Sequence, residues 1–188
     1  MSNIVFACVK QGDKYTSEQV NILFDMVARN IVGVPFNFVC FTDDATGLNE
    51  NISIQPTPSD IEGWWAKLYL FAGHFTPEQR VVYLDLSCVV VGSIAFLSEY
   101  DGAFATLRDF YRPNGLQSAI MMWKGDWGKH IWDSWNEQGR PHLPGEIEGD
   151  VDAEAGLLRR RVDQARERRP VDDQEVGRHG RRETPATR

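Results

Sequence analysis

One acid interrupts an apolar run in the middle of the chain. Residues 80–92 (RVVYLDLSCVVVG) are mostly β-branched or otherwise apolar and end at a glycine, which predicts a strand buried on both faces. Because an unpaired carboxylate inside such a strand costs several kcal/mol, Asp85 needs a charged partner, a metal ion or a place where the strand meets a cleft. Ligand sites in open α/β sheets lie at the carboxyl ends of strands, so the run predicts an α/β fold with a site at Asp85. The alternative is a hydrogen-bonded core aspartate that caps a neighbouring loop.

The N-terminal part of the chain has the pattern of a parallel βαβ unit. Residues 4–9 and 36–41 are apolar and strand-like. Between them, Thr16 and Gln19 have the spacing of a capping box, and apolar residues then recur at helical spacing until residues 33–35 (GVP). Two strands joined by one crossover helix predict an α/β architecture with a mostly parallel sheet flanked by helices.

Further elements are predicted up to residue 137. A turn-rich polar loop, residues 108–115, separates the last two strands. The predicted strands are residues 51–55, 80–91, 103–107 and 119–123, and the predicted helices are residues 62–75 and 126–137.

Composition divides the chain at residue 150. All 21 aromatic residues and all five lysines lie before this point, whereas residues 151–188 hold 10 of the 15 arginines and eight acids, giving formal charges of −9 and +2. An acidic body disfavours nucleic acid as a partner, because phosphate binding depends on clustered basic residues. A segment of high charge and low hydrophobicity cannot offset its ordering entropy. We therefore predict a folded domain over residues 1–150 and an Arg/Glu-rich, disordered or frameshifted tail over residues 151–188.

The cysteines and the start of the chain predict a cytoplasmic protein. Cys8, Cys40 and Cys88 each lie in an apolar run and lack CxxC spacing, which indicates reduced core thiols. The first residues lack the basic region of a secretory signal. No apolar run approaches the roughly 20 residues that span a bilayer, so no membrane span is expected.

Residues 83–87 (YLDLS) resemble the YLDxD strand of nucleotide-sugar glycosyltransferases with the GT-A fold, of the retaining family 8 (glycogenin and galactosyltransferase-like) type. The resemblance implies a Rossmann-like, mostly parallel sheet and sugar transfer from a nucleotide sugar, with a UDP-sugar as the expected donor and a glycan or protein as acceptor. In that family two acids hold Mn²⁺ or Mg²⁺ against the diphosphate and neutralise its charge. Asp85 stands at the first acid's position and Ser87 at the second. Because a hydroxyl is a weak, neutral ligand, we expect metal binding to be weak or absent.

The resemblance also implies a set of donor-binding residues. The strand end Cys8-Val9-Lys10, with Tyr15 beyond it, resembles the family's first loop, which receives the nucleotide base. Asp43 ends the strand that commonly contacts the nucleoside, with a turn cap as the equally open alternative. Lys67 matches a basic residue that supports a phosphate, with a solvated helix lysine as the alternative. The complete implied set is Val9, Lys10, Tyr15, Thr42, Asp43, Lys67 and Leu86.

Three further positions match residues that face the donor sugar or reacting carbon. Asp109 follows a strand, where the family places an acid that contacts the sugar. Gln117 begins a stretch (QSAIMM) similar to the family's N-S-G-V-M strand entry, and Asp150 stands at the start of a GDQ-like motif, whose acid lies near the reacting carbon. The resemblance stops after Asp150. It therefore predicts a fold truncated at its C-terminus and a tail that is a frameshift product or degenerated terminus, with a regulatory tail as the alternative.

Two hypotheses of function follow from these residues. The first is a metal-assisted glycosyltransferase of the hexosyltransferase type, impaired by the serine at position 87. The second is a catalytically inactive remnant that binds a nucleotide sugar or a glycan. The sequence does not support an α/β hydrolase or a dinucleotide-binding enzyme, because it lacks a GxSxG elbow, a GxGxxG turn after its first strand and a P-loop.

Overall fold

A computed structural model describes residues 4–61, 63–111 and 115–137. Asp150 and the predicted tail lie outside the described residues. The strands are β1 (Ile4–Lys10), β2 (Phe36–Thr42), β3 (Ser53–Pro56), β4 (Arg80–Leu84), β5 (Phe104–Arg108) and β6 (Leu116–Lys124). The helices are α1 (Ser17–Asn30), α2 (Lys129–Glu137) and two 3₁₀ helices, Gly63–Phe71 and Ala95–Glu99.

The described strands form one six-stranded sheet in the order β3-β2-β1-β4-β6-β5. The first four in this order are parallel, and β6 is antiparallel to both β4 and β5. The predicted α/β architecture with a mostly parallel sheet is therefore confirmed. None of the described helices is long and apolar enough to cross a lipid bilayer.

The predicted βαβ unit is present as β1, α1 and β2. The side chain of Thr16 accepts a hydrogen bond from the Gln19 amide at 3.4 Å, and the Gln19 side chain accepts one from the Thr16 amide at 2.9 Å. This reciprocal pair satisfies two amides that the first turn of a helix leaves without partners. The capping box therefore starts α1, which carries the chain back to the start of β2.

Side chains alternate between the two faces of each strand, and this alternation divides the core into two layers. We call the layer under the first 3₁₀ helix and α2 the aromatic face; it holds Val5, Ala7, Phe41, Val81, Tyr83, Met121 and Trp123. We call the layer under α1 the α1 face; it holds Ile4, Phe6, Cys8, Phe38, Cys40, Val82, Leu84, Leu86 and Met122.

The helix predicted over residues 62–75 is present as a shorter 3₁₀ helix. The structure has a nine-residue 3₁₀ helix, Gly63–Phe71, although such helices rarely exceed four residues. Ala66, Leu68 and Leu70 are all buried, so the segment has no continuous polar face. A segment that is apolar on most sides carries no periodicity that separates one helix type from another. The last predicted helix is confirmed in type, but α2 begins at Lys129 instead of residue 126.

The buried strand predicted over residues 80–91 is correct only to Leu84. β4 ends there, and the Cys88 amide closes a turn by donating to the Asp85 carbonyl at 2.9 Å. Val89 and Val91 are 72% and 91% exposed. Apolar composition could not reveal where the neighbouring strands stop pairing. Cys8 and Cys40 are buried as predicted, whereas Cys88 lies half-buried in the turn.

Candidate functional site

A cleft of about 290 Å³ opens at the carboxyl ends of β1 and β4. Its walls come from these two strand ends, from the loop that follows β1 and from the start of the first 3₁₀ helix. The lining residues are Val9, Gln11, Lys14, Tyr15, Gly63, Lys67, Tyr83, Asp85 and Ser87. This is the edge where parallel α/β sheets hold their ligands.

The alternation of the strands explains which side chains reach the cleft. Tyr83 and Asp85 are two residues apart, so they project from the same side of the chain. Tyr83 is buried in the aromatic face, and Asp85 lies just beyond it where the sheet gives way to the cleft. Val9 continues the aromatic-face series of β1 in the same way.

An ion pair lies at the centre of this arrangement. The Lys67 ammonium is 3.1 Å from Oδ2 of Asp85, and the two side chains are 11% and 19% exposed. The same ammonium donates to Oγ of Ser118 at 3.4 Å and lies 5.7 Å from the centre of the Tyr83 ring. Asp85 thus has the charged partner that its position in the sequence required, and it also borders the cleft. Its Oδ1 additionally accepts from the Ser87 amide at 3.4 Å.

The charged side chains that line the cleft are two lysines and one aspartate, a formal charge of +1. Lys67 is buried and held by the pair described above, whereas Lys14 is exposed and lies 5.4 Å from the ring of Tyr15. A largely buried ammonium with fixed partners loses little freedom when it donates to an anion. The cleft is therefore suited to a polyanion with an apolar or aromatic neighbour.

The described residues do not fit a tight divalent-cation site. Asp85 is the one acid among the lining residues, its neighbour Ser87 offers a neutral hydroxyl, and the described ranges contain no group of three or more His, Cys, Asp or Glu side chains that could hold a metal. Two unit charges 4 Å apart repel by about 4 kcal/mol at an effective dielectric of 20, and a divalent ion doubles that figure. Because the Lys67 ammonium already lies against Asp85, a cation bound there would meet this repulsion.

Three of the residues predicted to bind the donor belong to the other side of the sheet. The Lys10 ammonium donates to the Asp44 carbonyl at 2.9 Å, and the Thr42 hydroxyl donates to the same carbonyl at 2.9 Å. Leu86 packs into the α1 face with 8% of its surface exposed. None of these side chains is among those that line the cleft.

Asp43 lies at the end of β2 and connects two loops. Its Oδ2 accepts a hydrogen bond from the Gly12 amide at 3.0 Å, and Gly12 has a φ of 64° that favours glycine. The carboxylate thus holds the turn that leads to Lys14 and Tyr15 in the cleft wall. This is the turn-cap alternative of the sequence analysis, and contact with a nucleoside stays a prediction.

Asp109 and Gln117 are also absent from the described cleft wall. Oδ1 of Asp109 accepts from the Tyr111 amide at 2.8 Å, within the loop after β5. Gln117 lies in β6 where the pairing with β5 shifts register between Thr106 and Leu107, and it is not among the cleft-lining residues. Their contacts with a donor sugar stay predictions, and Asp150 lies outside the described residues.

Cys88 follows the cleft-lining residue Ser87 in the sequence, but it is a poor nucleophile. Burial, and then the negative charge of Asp85, raises the pKa of the Cys88 thiol. Its Sγ lies 3.4 Å from the Ala119 carbonyl. Because the thiolate is the reactive form, this thiol stays protonated and unreactive near neutral pH.

Sequence reasoning missed four cleft-lining residues, Gln11, Lys14, Gly63 and Tyr83, and the contact of Ser118 with Lys67. Tyr83 could have been found, because it shares a strand side with Asp85. Gln11 and Lys14 lie in the loop already assigned to the base, but nothing local marks them. Ser118 reaches Lys67 across 51 residues of sequence, through the antiparallel pairing of β4 with β6, which the sequence does not reveal.

Known structures share this fold. No family model matches the chain, and no curated protein matches it. The chain is similar to the apo form of the glycosyltransferase GlyE of Streptococcus pneumoniae TIGR4, with a TM-score of 0.61 and 14% identity over 87% of this chain and 44% of that one. It is also similar to the galactosyltransferase LgtC in complex with donor and acceptor sugar analogs, with a TM-score of 0.53 and 14% identity over 72% of this chain and 65% of that one.

These likenesses establish the GT-A glycosyltransferase fold for this chain. The chain spans less than half of the GlyE chain and 65% of the LgtC chain. The predicted fold is therefore confirmed, while the chemistry has to be argued from the cleft.

Proposed function

We propose that this chain is a glycosyltransferase-like domain that binds a nucleotide sugar, with a UDP-sugar as donor, and passes the sugar to a glycan or protein acceptor. The observation that carries the proposal is the cationic cleft at the carboxyl ends of β1 and β4, in a fold shared with GlyE and LgtC. LgtC was solved with donor and acceptor sugar analogs, which supports a sugar donor here as well. The folded unit extends over residues 1–150 in this proposal and works in the cytoplasm.

In this proposal, different residues of the cleft contact different parts of the donor. Tyr15 and Val9 contact the base, because they form the aromatic and apolar part of the wall. Lys67 and Lys14 contact the diphosphate, whose negative charge grows as the sugar leaves. Asp109, Gln117 and Asp150 keep their predicted contacts with the sugar.

The strand ends and the metal complete the proposal. In this proposal Lys10, Thr42 and Leu86 contact the donor through their backbone groups, and Asp43 holds the loop that leads to Lys14 and Tyr15. Mn²⁺ or Mg²⁺ at Asp85 and Ser87 stays a prediction of weak or absent binding, because those two side chains supply one carboxylate and one hydroxyl.

A catalytically inactive nucleotide-sugar or glycan-binding remnant is the second candidate. One observation favours it: the only acid among the cleft-lining residues is already engaged by Lys67 at 3.1 Å. Binding would then persist without turnover.

A thermal-shift panel of nucleotide sugars on the full chain tests binding, since a ligand at 100 times its Kd stabilises the folded state by about 2.7 kcal/mol. We expect UDP-glucose or UDP-galactose to raise the melting temperature, and glucose or galactose alone to leave it unchanged. Absence of any shift across the panel contradicts the proposal.

Release of UDP from the same donors, with and without Mn²⁺, separates the two candidates. Turnover by the wild-type chain excludes the inactive remnant. Binding without turnover, together with turnover by Ser87→Asp in Mn²⁺, identifies the missing second acid as the defect.

A further inference from the structure

We propose that the exposed rings of Phe110 and Tyr111 form a platform for the acceptor, on which a pyranose ring of a glycan stacks. This inference rests on the proposed function, because the platform lies beside the candidate donor cleft, and it selects a glycan over a protein as the acceptor. Phe110 is 85% exposed and Tyr111 is 94% exposed. Scattered single apolar side chains in water are ordinary, whereas contiguous ones mark binding surfaces. The pair is therefore a candidate binding surface.

The sheet places these rings at the same edge as the cleft. β6 is antiparallel to both β4 and β5, so β4 and β5 run in the same direction. Asp85 follows the carboxyl end of β4, and Phe110 comes two residues after the carboxyl end of β5. Because β6 alone separates these strands and neighbouring strands lie about 4.8 Å apart, the two strand ends are about 10 Å apart. Two linked pyranose rings span such a distance.

The loop that carries the rings is held by hydrogen bonds. Oδ1 of Asp109 accepts from the Tyr111 amide at 2.8 Å, and the Asp109 amide donates to the Gly115 carbonyl at 3.0 Å. The second bond closes the loop directly before β6 begins at Leu116. Aromatic side chains on a held loop lose little conformational entropy when they bind a partner. Asp109 therefore positions Tyr111.

The chemistry of this surface favours a sugar as its occupant. A pyranose presents a flat face of C–H groups, which an aromatic ring covers while the sugar hydroxyls stay in water. The side chains of a bound peptide enter pockets, whereas neither Phe110 nor Tyr111 is among the residues that line the cleft, and both rings lie on open surface. Nucleic-acid bases also stack on aromatic side chains, but the formal charge of −9 over residues 1–150 disfavours a polynucleotide.

Saturation-transfer difference NMR on the full chain tests the platform, because it detects weak binding. The probes are lactose, cellobiose and maltose, with open-chain sorbitol as the control. We expect at least one disaccharide to give a saturable signal, strongest at its ring C–H protons, and sorbitol to give none. Absence of a saturable signal from all three disaccharides overturns the inference. A signal from a Ser/Thr-rich peptide that is lost in Tyr111→Ala, with none from the sugars, identifies a protein acceptor and also overturns it.

Variants assign the sugar to the two rings. Phe110→Ala and Tyr111→Ala should each weaken the best disaccharide about fivefold or more, and both should fold, because each changes an exposed side chain. Tyr111→Phe keeps the ring and should bind within about threefold of wild type. The matched control is Phe96→Ala, a 65% exposed aromatic near the opposite edge, where the Ser98 carbonyl accepts from Arg80 at the start of β4. Wild-type affinity in both alanine variants overturns the inference.

Donor binding separates this inference from the proposed function. Both alanine variants should keep the wild-type rise in melting temperature with UDP-glucose or UDP-galactose. A donor shift in wild type without disaccharide binding overturns the inference and leaves the proposed function standing. Disaccharide binding with a flat donor panel contradicts the proposed function and leaves the rings as a sugar-binding surface. Loss of the donor shift in Tyr111→Ala would place the ring in the donor site and also overturns the inference.

Discussion

On the aromatic face of the sheet, the ring of Trp123 lies 4.9 Å from Phe71 and 5.9 Å from Phe75, and Trp65 stacks on Trp135 at 5.6 Å. The α1 face is built instead from aliphatic side chains, phenylalanines and two buried thiols under one amphipathic helix. The cleft lies at the strand ends described above, where Val9 and Tyr83 belong to the aromatic side and Tyr15 packs against the α1 face. The difference shows that the two faces of one set of strands can be packed with different kinds of side chain.

Alternation along the strands also decides which predicted site residues meet. The resemblance assigns consecutive pairs to the donor, such as Val9 with Lys10 and Leu86 with Ser87. Alternation in β1 lets only Val9 of the first pair face the cleft, and the turn after β4 places Ser87 of the second pair there. Lys10 and Leu86 belong to the α1 side.

The largest effect should come from the aromatic face itself. Trp123 is 1% exposed, so Trp123→Ala should lower the free energy of unfolding by about 3–5 kcal/mol through lost burial and a cavity. Urea denaturation measures this change. Tyr111→Ala, at a 94% exposed side chain, is the control and should change stability by less than about 0.5 kcal/mol. A Trp123→Ala cost below about 1 kcal/mol would show that the aromatic face is not tightly packed.

The ion pair of the cleft should give the next largest effect. Asp85→Asn removes the carboxylate that pairs with the Lys67 ammonium, in an 11% exposed side chain. Breaking a buried pair costs about 3–5 kcal/mol, and partial exposure reduces our expectation to about 1–3 kcal/mol. Asp101→Asn breaks the exposed pair with Lys124 and should cost less than about 1 kcal/mol. Equal losses in the two variants would contradict the central role of Asp85.

A third pair of variants compares a side chain of the cleft wall with a nearby side chain outside it. Tyr15→Ala removes an aromatic ring from the cleft wall and should weaken UDP about tenfold, since a base stacked on an aromatic side chain gains about 1–3 kcal/mol. Lys10→Met changes a side chain bonded to the Asp44 carbonyl and should leave the Kd within about twofold of wild type. Titration calorimetry compares the two. The reverse order of effects would place the nucleotide on the α1 side.

The sequence revealed features that depend on neighbouring residues and missed features that depend on contacts between distant residues. The capping box of Thr16 and the acid that interrupts the apolar run at Asp85 are local signals, and they predicted the start of α1 and a site at Asp85. The end of β4 at Leu84, the 3₁₀ form of Gly63–Phe71 and the Lys67–Ser118 contact depend on partners that are distant in sequence. Hydrophobic pattern alone carries no information about such partners.

The smallest expected effect concerns His74, whose ring lies 4.5 Å from Tyr69 and 5.1 Å from Phe41 on the aromatic side. Burial lowers the pKa of His74, so the unfolded chain takes up its proton at a higher pH than the folded chain does. Stability is therefore lost as the pH falls from about 6.5 through the lower folded pKa, by less than about 1 kcal/mol because the ring is only half-buried.

Urea unfolding between about pH 5 and 7 measures this slope. His74→Gln should flatten it, whereas His130→Gln, at an exposed position in α2, should leave it unchanged. An identical slope in wild type and His74→Gln would contradict this prediction. It would show that the charged imidazole of His74 is as stable in the aromatic face as in water. The aromatic face would then be no less polar than the adjoining cleft.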